Sequence, residues 1–268
     1  TILWESVSMI DMYGSEVGVG NKVLYENSIF KTKNCGNLVV TKYCNNKEVY
    51  VKFIETGYET VVQLCQIKRG TVKDRLQPSV FGAGIIGEHS VNDSGIPTRE
   101  YCVWRNMLRR CYSSKLHLSR PTYKDCIVSE NFKYFPYFKE WCNEQVGFDN
   151  EGWSLDKDIL LKGNKIYSED TCCFVPNEIN TLIVNNKALR GGSPVGVHCV
   201  KVTGKYLVNL AKYGIKTYLG TFNTSEEAFY VYKLEKEKYI KEVADKWKDN
   251  IDIRVYEALM SYEVSIYD

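Results

Sequence analysis

From Gly196 to Trp247 the residue order calls for a small sheet followed by one long helix. Gly196-Val197-His198-Cys199-Val200-Lys201 reads as a strand, the turn Thr203-Gly204-Lys205 follows, and Tyr206-Leu207-Val208-Asn209-Leu210 reads as a second strand. Tyr213-Gly214 makes another tight turn before Thr217-Tyr218-Leu219-Gly220-Thr221-Phe222. Short β-branched and aromatic runs separated by turn residues predict a three-stranded antiparallel sheet. Thr224-Ser225-Glu226-Glu227 then supplies a helix start, with a threonine hydroxyl for the amide three residues on and a glutamate to reach back. The helix is predicted to run to about Trp247. Ala228, Val231, Tyr232, Tyr239, Val243 and Trp247 broadly share its inner face, and Lys233, Lys236, Glu237 and Lys238 lie on its far side.

Upstream, Arg190-Gly191-Gly192-Ser193-Pro194 marks a junction, so residues 191–268 form the last predicted domain. Residues 1–81 are β-rich: Leu38-Val39-Val40 and Val49-Tyr50-Val51-Lys52-Phe53 flank the turn-like Cys44-Asn45-Asn46-Lys47, which predicts a small barrel-like module. Residues 82–98, glycine-rich and carrying Asn92-Asp93-Ser94, read as a linker. Residues 99–190 open on a helix whose stripe is Tyr101, Trp104, Met107, Leu108 and Cys111, with Arg105, Arg109 and Arg110 off that stripe. A second helical stretch, Phe132 to Cys142, places Phe135, Phe138 and Trp141 on one side, where core packing is the expectation. A strand at Trp153 to Ile159, a loop, a strand at Thr171 to Val175, and a helix from Asn177 to Asn185 opened by Pro176 complete the region. The fold class is α+β.

The sequence is 44% hydrophobic, 25% charged and 13% aromatic, as expected of a folded soluble protein. No apolar run is long enough to cross a bilayer, and the start, Thr1 to Glu5, has no basic-then-apolar pattern, so no membrane partner and a cytoplasmic location are expected. Ten cysteines include no Cys-x-x-Cys pair, which favours reduced, mostly buried thiols over disulfides. A zinc site from Cys102, Cys111, Cys126 and Cys142 would use spacings that match no common ligand pattern. The net charge of +2 leaves a nucleic-acid partner undecided, because any basic surface must then be local.

The strand, loop, strand, helix order is what a ββα-metal nuclease site needs: one divalent ion held between a first-strand side chain and a helical one, with a base to activate water. The run Tyr101-x-x-Trp104-x-x-Met107-Leu108-x-Arg110-Cys111-Tyr112 resembles the leading helix of phage HNH homing-endonuclease-like proteins. Tyr123-Lys124-Asp125-Cys126-Ile127-Val128, Ser154-Leu155-Asp156-Lys157 and Tyr167-Ser168-Glu169-Asp170-Thr171-Cys172 continue the resemblance in order. It implies Asp156 and Asn180 as metal ligands for Mg2+ or another divalent ion, Lys157 at the general-base position, and Asp170 near the polar position that stabilises the hairpin. A lysine there is a poor acceptor for a water proton. His89, His117 and His198 all lie outside the motif.

Gly196-Val197, Gly204-Lys205-Tyr206, Leu219-Gly220-Thr221-Phe222 and Thr224-x-x-Glu227-Ala228-Phe229 resemble the DNA-binding domain of plant ethylene-response (Apetala-type) factors. The resemblance implies a sheet laid in the major groove, with Lys201, Lys205, Tyr206, Asn209, Lys212, Lys216 and Tyr218 as candidate DNA contacts. Separately, Arg105, Arg109 and Arg110, off the helical stripe, are candidates to face phosphates or form a solvated face. No arginine stands between Val195 and Phe222, so specificity is expected to be weak.

Three functions follow as expectations. The first is a phage-type protein that binds double-stranded DNA, derived from an HNH homing endonuclease whose catalysis is weakened or lost. The second is an active metal-dependent endonuclease that nicks or cuts DNA. The third is an effector that binds a host or phage protein in the infected bacterial cytoplasm.

Overall fold

Thirteen short strands and eight α-helices, among the described residues, build several small sheets rather than one large one. The computed structural model describes residues 24–183 and 193–267. The predicted junction at Arg190 to Gly192 and the last residues of the helix predicted to Asn185 lie outside the described residues. The chain divides into two compact units: the first ends at Ser113 and takes in Lys133–Pro136, and the second holds Ser114–Phe132 and Tyr137 onward.

In the first unit, β1 (Ile29–Lys31), β2 (Asn37–Asn45), β3 (Glu48–Phe53) and β4 (Glu59–Val62) form an antiparallel meander, followed by α1 (Leu64–Lys68). Leu38, Val40, Val49, Val51 and Phe53 alternate onto its buried face, as period two requires. The expected barrel is not formed. The strand order is β1-β2-β3-β4 with β1 and β4 as unpaired edges, and a sheet of four strands is too narrow to close around a filled interior. A hairpin of β5 (Asn92–Asp93) and β6 (Ile96–Pro97) precedes α2 (Arg99–Tyr112), so the predicted linker carries some structure. Thr98 caps α2, its side chain accepting from the Tyr101 amide, and Trp104, Met107, Leu108 and Cys111 are buried along the predicted stripe. Trp104 packs on Phe135 at 5.2 Å between ring centroids.

The second unit takes in α3 (Ser114–Ser119), β7 (Ile127–Val128), α4 (Glu130–Lys133, through Phe132) and the rest of α5 (Phe135–Glu144). Phe132, Phe138 and Trp141 pack on one another and reach Phe174, so these aromatics are core. β8 (Ser154–Asp156) pairs antiparallel with β10 (Cys173–Val175), and β9 (Ile166–Tyr167) pairs parallel with β7. After β10 comes α6 (Asn177–Leu182).

The C-terminal sheet has the predicted order, β11 (Val197–Val200), β12 (Lys205–Lys212) and β13 (Ile215–Phe222), all antiparallel. Its second turn is a two-residue loop in which Tyr213 and Gly214 both have positive φ, 51° and 78°, the geometry that matches strand twist. α7 (Ser225–Trp247) lies behind the sheet; the Thr224 hydroxyl accepts from the Glu227 amide at 3.2 Å. α8 (Ile253–Met260) follows, capped by Asp252. One continuous core joins Ile159, Cys173, Val175, Ile179 and Leu182 to Val197, Val208, Leu210 and the inner face of α7, and the tail adds Val255, Leu259 and Val264. The tail thus packs within its own unit.

Candidate nucleic-acid interface

The strand-loop-strand-helix segment places Asp156 at the end of β8 and Asn180 in α6. Asp156 is occupied with the backbone: its Oδ1 accepts the amides of Asp158 at 2.7 Å and Ile159 at 2.8 Å. Burial pushes its carboxyl above the usual value, against the pull of those two bonds. Lys157 is only 5% exposed, and its Nζ donates to the Asp158 carboxylate and to the Asn164 carbonyl, both at 2.6 Å. The amine is a donor in a closed network, not a base facing water. Asn180 is half-buried, and its side chain has no hydrogen-bond partner among the described residues.

Asp170 is exposed, and its side chain takes no part in the hydrogen bonds that hold the loop. Asn164 does that work. Its amide donates to the carbonyls of Lys157 and Ile166, and its Oδ1 accepts the Ile166 amide at 3.0 Å. The sequence signal was the Gly163-Asn164 turn, with φ of 76° at Gly163. Glu169 fastens the other side, accepting from Ser129 and Asn131.

Whether these groups fit a divalent ion is a matter of donors. The Asp156 Oδ1 already serves two amides, and the neighbouring Asp158 carboxylate is taken up by the buried Lys157 amine. Among the described residues no group of three or more His, Cys, Asp or Glu is placed to hold a metal, the cysteines considered for zinc included. The residues do not fit an ion held in the nuclease manner. All ten cysteines are free thiols, and burial pushes Cys172 up to about 12 and Cys173 further still, which makes both poor nucleophiles and ligands.

The C-terminal sheet presents a different chemistry. Residues paired across strands point to the same face, so the register assigns each side chain. Val208, Leu210, Tyr206 and Lys212 face α7: the first two are buried, Tyr206 packs on the core, and Lys212 pairs with Glu235 at 3.0 Å. Lys205, Asn209, Lys216 and Tyr218 share the opposite, solvent face, with Asn209 directly across from Tyr218. Lys201 is exposed in the turn after β11. Of the seven candidates here, the structure therefore brings four together, adds Lys201 at the margin, and turns Tyr206 and Lys212 away. In the first unit, Arg105 and Arg109 lie one turn apart on the exposed side of α2, whereas Arg110 is half-buried and already engaged.

A second feature sharpens this face. No Asp or Glu occurs from Ile179 to Ser225, although an even spread of the chain's 33 acidic residues would place about six there. The acids resume on α7, with Glu226, Glu227, Glu235, Glu237, Glu242 and Asp245. Lys233, Lys236, Lys238, Lys241 and Lys246 interleave with them there, so within this pair of elements the sheet alone carries a single sign of charge, in a protein of net charge +2.

The chain matches no family model, no curated protein and no solved structure. Fold and chemistry therefore carry the functional reading by themselves. No described helix is long and apolar enough to cross a membrane.

Proposed function

We propose that this protein binds double-stranded DNA through the solvent face of its C-terminal sheet, and that the segment around Asp156 is a catalytically silent relative of an HNH-type site. The observation that carries the reading is the acid-free sheet face bearing Lys205, Asn209, Lys216 and Tyr218. Such a face attracts a polyanion without any opposing carboxylate, and phosphate neutralisation supplies most of non-specific affinity. The dimensions favour a duplex of B-form. Asn209, Lys216 and Tyr218 all lie on the β12–β13 hairpin, a two-stranded ribbon of the kind that enters a major groove about 12 Å wide, whereas the deep, narrow major groove of A-form RNA excludes it.

Metal-dependent cleavage is less well supported, because among the described residues no group of three or more His, Cys, Asp or Glu is placed to hold an ion and the Lys157 amine is buried in hydrogen bonds. A protein-binding role would draw on exposed apolar residues, yet on this sheet Val202, in the β11–β12 turn, and Ile215, the first residue of β13, lie at opposite ends, 95% and 71% exposed.

Electrophoretic mobility shift at low salt with random-sequence duplex, using single-stranded DNA and duplex RNA as competitors, tests the proposal. A retarded band displaced by duplex DNA and not by duplex RNA is the expected result. Absence of any duplex complex would refute it.

A further inference from the structure

The solvent face of the sheet contains one group suited to reading a base rather than a phosphate. Lys205 and Lys216 carry compact positive charges. The Tyr218 hydroxyl is tied to the Thr221 hydroxyl at 2.8 Å. Leu207 and Ala211, on either side of Asn209 along β12, are apolar. His198, across from Leu207, has its two ring nitrogens on opposite sides of the imidazole and cannot offer a donor and an acceptor to one base edge. Asn209 does offer both on adjacent atoms, and its amide has no hydrogen-bond partner among the described residues.

Its position reinforces the chemistry. The β12–β13 register shifts between Val208 and Asn209, with Gly220 at φ 139° on the facing strand. An irregularity of this kind bends the ribbon and re-aims the side chain beside it. Ala211 keeps one flank of Asn209 low, so a groove floor can approach. Lys205 lies four residues away, about 13 Å along the strand. Lys216, opposite Ala211, lies on the other side at about 7–8 Å across the diagonal. A planar amide at the centre with an ammonium on each side is the arrangement expected of a base reader held between two phosphate backbones.

We propose that Asn209 is the specificity-determining residue of this face and that it reads adenine in the major groove, its Oδ1 accepting from adenine N6 and its Nδ2 donating to N7. This rests on the duplex reading above. It adds sequence preference to a surface whose lysines supply affinity alone, and the same pairing distinguishes adenine from guanine, whose O6 replaces the N6 donor with an acceptor.

The test uses the full chain. Sites are selected from a randomised duplex library, and affinities are then measured by fluorescence anisotropy for the wild type, Asn209→Ala and Asn209→Asp, with circular dichroism confirming that the variants are folded. The wild type is expected to select sites sharing an adenine at one fixed position. Replacing that adenine by another base, or by 7-deazaadenine, which lacks the N7 acceptor, should weaken wild-type binding roughly 5- to 150-fold, the range for a bidentate contact. Asn209→Ala should lose the adenine preference, binding the selected site no better than it binds random duplex. Asn209→Asp, an acceptor only, should shift the preference toward cytosine, whose N4 donates. Selection without an adenine requirement, or an Asn209→Ala variant that keeps it, overturns the assignment while leaving duplex binding intact. A wild type that retains no duplex at all overturns both.

Discussion

The proposed sheet surface makes a quantitative demand on salt dependence. Three lysines point outward without a partner among the described residues, Lys201, Lys205 and Lys216, whereas Lys212 is turned inward against Glu235. If each outward lysine neutralises one phosphate, the slope of log affinity against log salt is about −2.7, at roughly 0.9 per contact. Raising salt from 50 to 200 mM then weakens binding about 40-fold. The double variant Lys205→Ala/Lys216→Ala leaves one contact, a slope of about −0.9 and a loss of only about 3.5-fold over the same range. Lys212→Ala is the internal control, because that ammonium faces α7 and its removal should leave the slope near the wild-type value. The assay is fluorescence anisotropy on a random duplex across a salt series, with all variants checked for folding. Parallel wild-type and double-variant lines, or a Lys212→Ala slope that flattens as much as the double variant, would show that the sheet's solvent face is not where the duplex lies.

Supercoiled plasmid incubated with Mg2+ or Mn2+ should stay supercoiled, since Asp156 is engaged with backbone amides and the Lys157 amine is tied to Asp158 and Asn164; nicking abolished by Asp156→Ala would contradict that reading. Glu178 should give a pH-dependent contribution to stability. Partial burial works against its carboxylate, but hydrogen bonds from Lys246 and from Trp247 Nε1 at 2.8 Å, together with the Lys246 charge, outweigh it and hold its pKa below the usual 4.5. A depressed carboxyl stabilises above its unfolded pKa and loses that contribution as pH falls through the folded one, so Glu178→Gln should lower the urea midpoint at pH 7 and match the wild type at strongly acid pH. Gly196→Ala should cost about 2 kcal/mol or more in urea unfolding, because φ is +73° and the new Cβ would stand 2.1 Å from Tyr232 Cδ2.

Much of the C-terminal half could be read from residues alone because its signals are local. Tyr213-Gly214 specifies its turn and Thr224 specifies a helix start; in the first unit, the α2 stripe likewise needs only helical spacing. Other features depended on long-range pairing. Closure of the N-terminal strands would require β1 to meet β4, and nothing in either strand encodes that choice. The assignment of Tyr206 and Lys212 to the solvent side was avoidable: they share parity with Val208 and Leu210, whose burial fixes the whole set inward. The absence of acids between Ile179 and Ser225 was equally visible, as a gap rather than a motif. Asn164 was harder to foresee, since loop-pinning by a side-chain amide depends on where the returning strand passes. The irregularity at Asn209 leaves no mark in the sequence beyond Gly220.

The interior shared by Ile159, Val175 and Ile179 with Val208, Leu210 and Tyr239 has a consequence for how this chain can be taken apart. The sheet and its helix are not a cassette. A fragment starting near residue 191 would carry a raw apolar scar where β10 and α6 used to rest, and the remaining piece would carry its mirror image. Neither half is expected to stay in solution by itself. The strand, loop, strand, helix segment and the sheet therefore stand or fall as one folded piece.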